Sequence, residues 1–317
     1  MARRFKLAPD NTNINFLGKR YFAFAFSLFL VLGSLTLVAV KGINFGVDFT
    51  GGTLIEIKVP TVPDLARLRG DLSGLGVGAV SLQEFGDPQN LLIRLPQQSG
   101  GPEAQAQSVT KVKESLATAF PSGVVDYRRV EYVGPQVGDE LKKAGMLALA
   151  LSILGILAYV AFRFEWQFGV SAVLALIHDA VVTLGFFALT GWEFDVSTMG
   201  AVLLVAGYSI NDTIVVFDRI RENLRKYKKM PLLELFNLST NQMLARSLMT
   251  SFTTLLALLS LAIFGGDVIR GFTWALIVGI VVGTYSSTYV AAALLLYLNI
   301  RRVPKELDAS GAVPGSV

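Results

Sequence analysis

An aspartate lies inside a stretch of sequence that is otherwise apolar enough to cross a lipid bilayer. Asp212 falls in the inner third of the run 201–217, about 8 Å from the end of that run at ~1.5 Å per helical residue. A carboxylate at that depth costs about 2.5–3.5 kcal/mol, so it should face the interior of a helix bundle and have a partner or a proton. Asp212 is therefore our main candidate for moving protons or ions, and its neighbours Ser209 and Asn211 join the candidate set. The simpler alternative is a buried aspartate that only hydrogen-bonds a neighbouring helix.

A second candidate, Arg246, opens the next apolar run of the sequence. The two runs are joined by a basic segment, so they should form antiparallel helices that bring Asp212 and Arg246 to similar depths. An Asp–Arg pair in lipid is reasonable because each partner offsets the desolvation of the other. Thr250, one helical turn beyond Arg246, would share its face and could hold a water molecule or a hydrogen bond. The alternative is an arginine that snorkels to the interface and only fixes orientation.

A third candidate is the pair His178–Asp179, near the middle of another apolar run. Adjacent residues on a helix point about 100° apart, so the two side chains need not touch. Asp179 would face inward while His178 contacts another helix. Two titratable groups at this depth are expensive, and a proton relay would justify them. The alternative is a pair satisfied by neighbouring polar groups, and the role of His178 stays open.

The sequence GVDFTGG at residues 46–52 follows the first apolar run directly. Gly51 and Gly52 permit backbone angles that are closed to other residues, and Asp48 can hydrogen-bond nearby amide groups. The segment suits a hinge or a fixed junction between the membrane part and a polar part of the chain, and plain turn chemistry is the alternative. It is not a phosphate-binding loop, since no Lys-Ser/Thr pair follows the glycines.

The composition is that of a membrane protein. Hydrophobic residues make up 52% of the 317 residues, and the mean hydropathy is +0.54. The net charge is +4, but the basic residues cluster beside the ends of apolar runs, which is a pattern of membrane orientation rather than of nucleic-acid binding. The absence of cysteine rules out disulfides, and a single histidine rules out a multi-histidine metal site within this chain. We predict neither a metal nor a cofactor.

Six apolar runs have the length of about 20 residues that a membrane-spanning helix needs. They are residues 21–40, 144–162, 168–190, 197–217, 247–264 and 273–299. An even number of spans places both termini and the basic segment 218–246 on one side, and the positive charge makes that side cytoplasmic. We therefore expect a cytoplasmic N-terminus at 1–20, a five-helix membrane bundle at 144–302 with a cytoplasmic loop at 218–246, a cytoplasmic tail at 303–317, and an extracytoplasmic domain at 41–143.

The predicted outer domain, residues 41–143, differs in character from the rest of the chain. Its charges are frequent, and its apolar residues alternate or follow helical spacing. Strands are predicted at 53–59, 79–85, 90–95 and 124–132, and helices at 64–72 and 103–120. The order βαββαβ is that of a ferredoxin-like α/β domain. The predicted fold class is thus an α-helical membrane protein of six transmembrane helices, with this domain between the first and second helices.

Together these features resemble the SecD/SecF family of protein-export membrane proteins, relatives of the RND (resistance-nodulation-division) transporters. The resemblance covers nearly the whole chain. It rests on GVDFTGG at 46–52, the HD pair at 178–179, GYSINDTIVVFDRIREN at 207–223 and ARSLMTSFTTL at 245–255. The layout of one span, an outer domain and five further spans is also that of half an RND-type unit.

The resemblance implies an accessory subunit of the Sec translocase, not an enzyme, in the bacterial cytoplasmic (inner) membrane. SecF-like members of the family pair with SecD beside the SecYEG channel and use the proton motive force to promote late steps in the export of an unfolded polypeptide. YajC and YidC are further expected partners. By this likeness Asp212 carries the proton, Arg246 is its charge partner, and Thr250 lies in the same hydrophilic path. Asp179 is carried over more weakly.

Three other functions remain open from the residues. An RND-like proton-coupled exporter of small molecules or lipids would need a drug-sized apolar pocket, for which one small outer domain offers little room. An intramembrane aspartyl protease could use Asp179 and Asp212 as a pair that shares a proton, but a neighbouring Arg246 would disturb that sharing. A purely structural partner of the translocon would need no titrating group at all.

Overall fold

The computed structural model describes residues 12–85, 87–121, 123–266, 269–298 and 300. The predicted tail and most of the predicted N-terminal segment lie outside these residues. Within them, six helices are long and apolar enough to cross a membrane, as the hydropathy of the sequence predicts. The helices in chain order are α1 Arg20–Lys41, α2 Val47–Thr50, α3 Leu65–Ser73, α4 Gly101–Ala119, α5 Pro135–Arg163, α6 Trp166–Thr190, α7 Val196–Lys226, α8 Leu232–Phe264, α9 Arg270–Ser286 and α10 Ala292–Tyr297. A π-helical segment, Ser287–Ala291, joins α9 to α10 without a break.

Three of the long helices extend beyond the apolar runs that predicted them. Helix α5 begins at Pro135 rather than at residue 144, and its early Gly138 lies against the backbone of Phe49 in α2. Helix α7 continues past residue 217 to Lys226, and α8 begins at Leu232 rather than at residue 247. Hydropathy marks only the part of a helix that lies in lipid, whereas backbone hydrogen bonding continues through polar sequence wherever side chains can pack.

The prediction of a long basic loop at 218–246 is wrong, because nearly all of this segment is helical. Only residues 227–231 separate α7 from α8. Side-chain hydrogen bonds hold the two helix extensions together, since the Asn223 amide donates to Ser239 Oγ at 2.8 Å and to Gln242 Oε1 at 2.9 Å. Arg219 Nε donates to the same Gln242 oxygen at 2.6 Å. These polar contacts carry no hydropathy signal, so the sequence pattern alone indicated a loop.

A four-stranded antiparallel sheet follows α1 in the chain. Its strands are β1 Gly52–Lys58, β2 Ser81–Phe85, β3 Asp87–Pro96 and β4 Asp126–Val133, in the spatial order β2-β3-β1-β4. Alternate strand residues such as Ile55, Ile57 and Ile93 are fully buried and pack with Leu72 of α3 and Leu116 of α4. The sheet and its two helices therefore have their own hydrophobic core, and the elements follow the order βαββαβ along the chain.

The GVDFTGG segment connects this sheet to the long helices. It contains the short helix α2, which the sequence pattern did not indicate, and the ring of Phe49 is buried against that of Phe194 at 6.2 Å. Gly51 has a φ of 74° and Gly52 a φ of 134°. A Cβ atom on Gly52 would lie 2.3 Å from the carbonyl oxygen of Leu95. Such close packing favours a fixed junction over a loose hinge.

We expect the substitution Gly52→Ala to destabilise the chain by about 1–3 kcal/mol, because the new methyl group must occupy a backbone conformation that L-residues rarely adopt and would overlap a carbonyl group. The measurement is thermal unfolding of the purified chain in detergent. Gly70→Ala in α3 is the matched control, since a Cβ there meets nothing within 4 Å. Equal unfolding temperatures for the two variants would contradict this account of the junction.

Candidate functional site

Asp179 lies at the meeting point of α6, α7 and α9 and has no solvent-exposed surface. Its Oδ2 atom accepts hydrogen bonds from Ser209 Oγ of α7 at 2.6 Å and from Ser286 Oγ of α9 at 2.7 Å. Its Oδ1 atom lies 2.9 Å from Nδ1 of His178. The close approach of α9 depends on Gly283, where a Cβ would lie 3.2 Å from the side chain of Ser209. Hydroxyl groups from two neighbouring helices thus surround this carboxylate.

Asp212 occupies a similar setting between α7, α8 and the π-helical segment. Its carboxyl group is buried, and Oδ1 accepts a hydrogen bond from Ser247 Oγ at 2.5 Å. Oδ2 accepts from Ser287 Oγ at 2.7 Å. Within the described part of the chain, no lysine or arginine lies within ion-pair distance of Asp212 or Asp179. Hydroxyl donors therefore contact both carboxyl groups, and His178 is a further partner of Asp179.

The predicted contact between Asp212 and Arg246 is not made. Arg246 is exposed, and the residue that faces Asp212 is its neighbour Ser247. Adjacent helix residues point about 100° apart, so only one of the two can face α7. The Thr250 hydroxyl is also exposed and donates to the backbone oxygen of Arg246 at 3.0 Å, on its own helix. The structure thus places Arg246 and Thr250 together but away from Asp212.

None of the other predicted residues hydrogen-bonds Asp212 within the described part of the chain. Ser209 contacts Asp179 instead of Asp212, although it lies three residues from Asp212 in the sequence. Asn211 is exposed on the outer face of α7. His178 and Asp179, which were expected to point to different neighbours, touch each other directly. The buried Nε2 atom of His178 has no hydrogen-bond partner among the described residues.

Sequence reasoning missed three of the hydroxyl donors, Ser247, Ser286 and Ser287. Single serines are common in membrane helices, so each alone carries little signal. A usable signal was present in the last apolar run, where Thr284 to Tyr289 reads TYSSTY and interrupts the aliphatic sequence with consecutive hydroxyl side chains. Such a polar cluster at membrane depth indicates a buried partner that needs several donors.

A separate charged cluster ties the sheet to the loop between α6 and α7. Arg94 of β3 forms an ion pair with Glu193 of that loop, and both side chains are largely buried. Asp48 accepts a hydrogen bond from the backbone N–H of Val196, the first residue of α7, at 3.2 Å. Burial raises the pKa of the Glu193 carboxyl to about 7, the charge of Arg94 opposes the rise, and the nearby Asp195 and Asp48 add to it. This cluster therefore holds a group that titrates near neutral pH.

Two family models match the chain. The model of the C-terminal region of the protein export membrane proteins SecD/SecF matches residues 111–301. The model of the SecD/SecF GG motif matches residues 36–59, which include Asp48, Gly51 and Gly52. The first match includes both buried carboxyl groups and every serine that contacts them.

Similar chains are known from several bacteria. The protein translocase subunit SecF of Cereibacter sphaeroides is 47% identical over 315 residues, which cover 98% of this chain and 97% of that one. The protein translocase subunit SecF of Pseudomonas aeruginosa is 47% identical over 287 residues, with 90% and 92% coverage.

Solved structures of SecDF are also similar. The crystal structure of SecDF, a translocon-associated membrane protein from Thermus thermophilus, matches with a TM-score of 0.80 and 38% identity over 92% of this chain. A crystal structure of SecDF in a super-membrane-facing form matches with a TM-score of 0.69 and 37% identity over 90% of this chain. This chain spans 39% of the length of either SecDF chain.

The Glu193 cluster predicts a pH-dependent stability with a definite sign. The folded-state pKa of Glu193 lies near 7, above the ordinary value of 4.5, so the folded chain binds more protons than the unfolded chain between these values. Stability should therefore fall as pH rises from about 4.5 to 7 and level off above that range. We expect Glu193→Gln to remove this part of the pH dependence in thermal unfolding between pH 5 and 8.

The matched control for this prediction is Glu114→Gln, which changes an exposed glutamate of α4. That variant should keep the pH profile of the unsubstituted chain. A Glu193→Gln variant with the same pH slope as the control would show that Glu193 does not titrate in this range.

Proposed function

Because this chain belongs to the SecD/SecF family of protein export membrane proteins, we propose that it uses the proton motive force, together with a SecD-type partner, to promote late steps of protein export as an accessory subunit of the Sec translocase. The family match and the SecF relatives over nearly the whole chain support the role in the translocase. The six apolar helices make the chain a multi-pass membrane protein. The proton-coupled step rests on the setting of Asp212.

The observation that carries this proposal is a buried carboxyl group whose described side-chain partners are hydroxyls. A hydroxyl group donates to an ionised carboxylate and accepts from a protonated carboxyl group, so Ser247 and Ser287 can remain bonded to Asp212 in both states. A lysine or arginine in their place could only donate and would favour the ionised state alone. The site is thus suited to gaining and losing a proton without losing its partners.

A change of protonation at Asp212 would alter hydrogen bonds that join three helical segments. Ser247 belongs to α8 and Ser287 to the segment between α9 and α10, while Asp212 itself belongs to α7. Each elementary charge that crosses the membrane is worth about 2.3 kcal/mol per 100 mV. A few protons therefore supply enough free energy to bias a two-state rearrangement of these helices.

The exposed polar side chains at membrane depth support a SecD-type partner. Asn211 and Thr250 would face lipid in an isolated chain, and Arg246 lines a cleft of about 410 Å³ between α5, α7 and α8 without an ion-pair partner among the described residues. Polar groups are costly in lipid, so a second membrane subunit should cover this face. The similarity to part of a longer SecDF chain agrees with such an arrangement.

The charge distribution supports an orientation with the sheet on the extracytoplasmic side of the membrane. The end of the bundle opposite the sheet carries a cluster of basic residues. They are Arg163, Arg219, Arg221, Arg225, Lys226, Lys228 and Lys229. By the positive-inside rule this end and both termini are cytoplasmic. The domain 41–143, whose strand order is that of a ferredoxin-like fold, would then meet the exported polypeptide. SecYEG, and with it YajC and YidC, would be the neighbouring partners.

The geometry gives no support to an aspartyl protease. A catalytic carboxylate pair shares a proton over a direct contact. Asp179 and Asp212 are instead bonded to different serines, and no hydrogen bond joins the two carboxyl groups. The reason given from sequence, a disturbing Arg246, does not apply, because that side chain lies elsewhere.

The test is the substitution Asp212→Asn, measured in membrane vesicles that contain the complete translocase. We expect export with an imposed proton gradient to fall to the rate measured without the gradient, because an amide cannot take up and release the proton. The amount of chain in the membrane and its association with the partner should stay unchanged. Asp139→Asn, at an exposed aspartate of α5, is the control. Gradient-dependent export that survives Asp212→Asn would exclude Asp212 as the coupling group.

The proposed partner face can be tested by cysteine labelling, since the native chain contains no cysteine. We expect a Thr250→Cys variant to react with a maleimide in detergent solution at mildly alkaline pH when the chain is purified alone, and to react at least ~10-fold more slowly when the SecD-type partner is co-purified, because the partner covers this face. Leu28→Cys, at an exposed position of α1, should react equally in both cases. Equal labelling of Thr250→Cys with and without the partner would place the interface elsewhere.

A further inference from the structure

Two consecutive serines connect the two buried carboxyl groups. Ser286 is the last residue of α9, and Ser287 is the first residue of the π-helical segment. Ser286 Oγ donates to Asp179 Oδ2 at 2.7 Å, and Ser287 Oγ donates to Asp212 Oδ2 at 2.7 Å. Neighbouring side chains on a helix point in different directions, so this pair reaches α6 on one side and α7 on the other. A single peptide unit thus lies between the two sites.

Each of these serines also has a second acceptor within reach. Ser286 Oγ lies 3.2 Å from the carbonyl oxygen of Gly283, and Ser287 Oγ lies 3.1 Å from that of Thr284. A hydroxyl group has one proton to donate, so it can satisfy only one of its two acceptors well at a time. Within the described part of the chain, Ser209 and Ser247, the other two donors, have hydrogen bonds only to their carboxyl groups. The pair of consecutive serines is therefore the one that can change partners.

The two acceptors define two hydrogen-bond arrangements. When the carboxylate is ionised, the serine O–H donates to it. When the carboxylate takes up a proton, its new O–H donates to the serine oxygen, and the serine O–H turns to the helix carbonyl. The added proton is taken up by the carboxylate and the serine keeps its own, so the exchange is balanced. Protonation would thereby add a hydroxyl donor to a carbonyl oxygen of α9.

The backbone at this place has irregular helical geometry. The π-helical turn begins at Ser287, and such turns within α-helices are frequent at functional sites. The carbonyl of Thr284 is shared, since Thr288 Oγ1 also approaches it at 3.3 Å. Helix α9 is also packed tightly on α7, where a Cβ on Gly279 would lie 2.2 Å from Val205. Because α9 and α7 are in such close contact, a change in the hydrogen bonds to the carbonyl groups of α9 would move α9 relative to α7.

From these contacts we propose that Ser286 and Ser287 are positioning residues that make the protonation of Asp179 and Asp212 interdependent. The other titratable groups that face this unit within the described residues are His178, which touches Asp179, and Tyr285, whose ring lies 6.4 Å from that of His178. The inference rests on the proposed proton-coupled function. It adds that the proton-binding unit comprises two carboxyl groups on different helices and that α9 transmits the state of one to the other.

The test follows the carboxyl bands of Asp179 and Asp212 by infrared titration of the full chain in its complex, in lipid. We expect Asp179→Asn to shift the titration midpoint of Asp212 by about one pH unit. In a Ser286→Ala, Ser287→Ala background the same substitution should leave the midpoint of Asp212 unchanged. Thr in place of both serines keeps the hydroxyl groups and should restore the shift. Ser34→Ala, at a buried serine of α1, should not affect it.

An Asp212 midpoint that is the same with and without Asp179 would overturn the inference, as would a shift that persists without either hydroxyl group. This readout is independent of export. If Asp212→Asn vesicles keep gradient-dependent export while the infrared shift is present, the proposed function fails and the linkage between the carboxyl groups stands. If Asp212→Asn vesicles lose gradient-dependent export and no infrared shift is seen, the linkage fails and the proposed function stands.

Discussion

A carboxyl group buried between membrane helices needs partners that remain bonded to it when its charge changes, and serine hydroxyl groups meet this requirement. The rest of the bundle is arranged around that constraint. Asp179 and Asp212 lie on different helices, and their donors come from α7, α8, α9 and the adjoining π-helical segment. Four helices must therefore keep their relative positions for both groups to be satisfied. Small residues make this possible, because Gly279 and Gly283 let α9 lie against α7.

The two carboxyl-bearing helices also lead directly to the four-stranded sheet. Helix α6 ends and α7 begins at the short loop that carries Glu193, and this residue is paired with Arg94 of β3. Phe49 and Phe194 pack against each other and join the GVDFTGG segment to the same loop. A shift of α6 relative to α7 would thus move the sheet, because the ion pair and the aromatic contact join the sheet to the loop between the two helices. These contacts would connect the proposed binding of a proton in the bundle to a movement of the sheet.

Sequence patterns predicted the parts of the molecule that depend on hydropathy and on backbone alternation. The six apolar helices and the strands of the sheet follow from these patterns, because lipid and a hydrophobic core both select apolar side chains. The helical extensions around Asn223 and Pro135 were missed, since side-chain hydrogen bonds and packing outside the membrane leave no hydropathy signal.

The candidate site was predicted only in part. Asp179 and Asp212 are identifiable from their cost in an apolar run, but the partner of Asp212 is not. Arg246 and Ser247 are adjacent, and helix rotation decides which of them faces α7. Rotation depends on packing against several other helices, which the periodicity of one helix does not reveal.

The most direct test of the central claim is an infrared difference spectrum of the complete complex in membranes, recorded with and without an imposed proton gradient. We expect a protonated carboxyl band that changes with the gradient and is absent from Asp212→Asn. An Asp212 that stays in one protonation state under both conditions, while gradient-driven export proceeds, would contradict the claim.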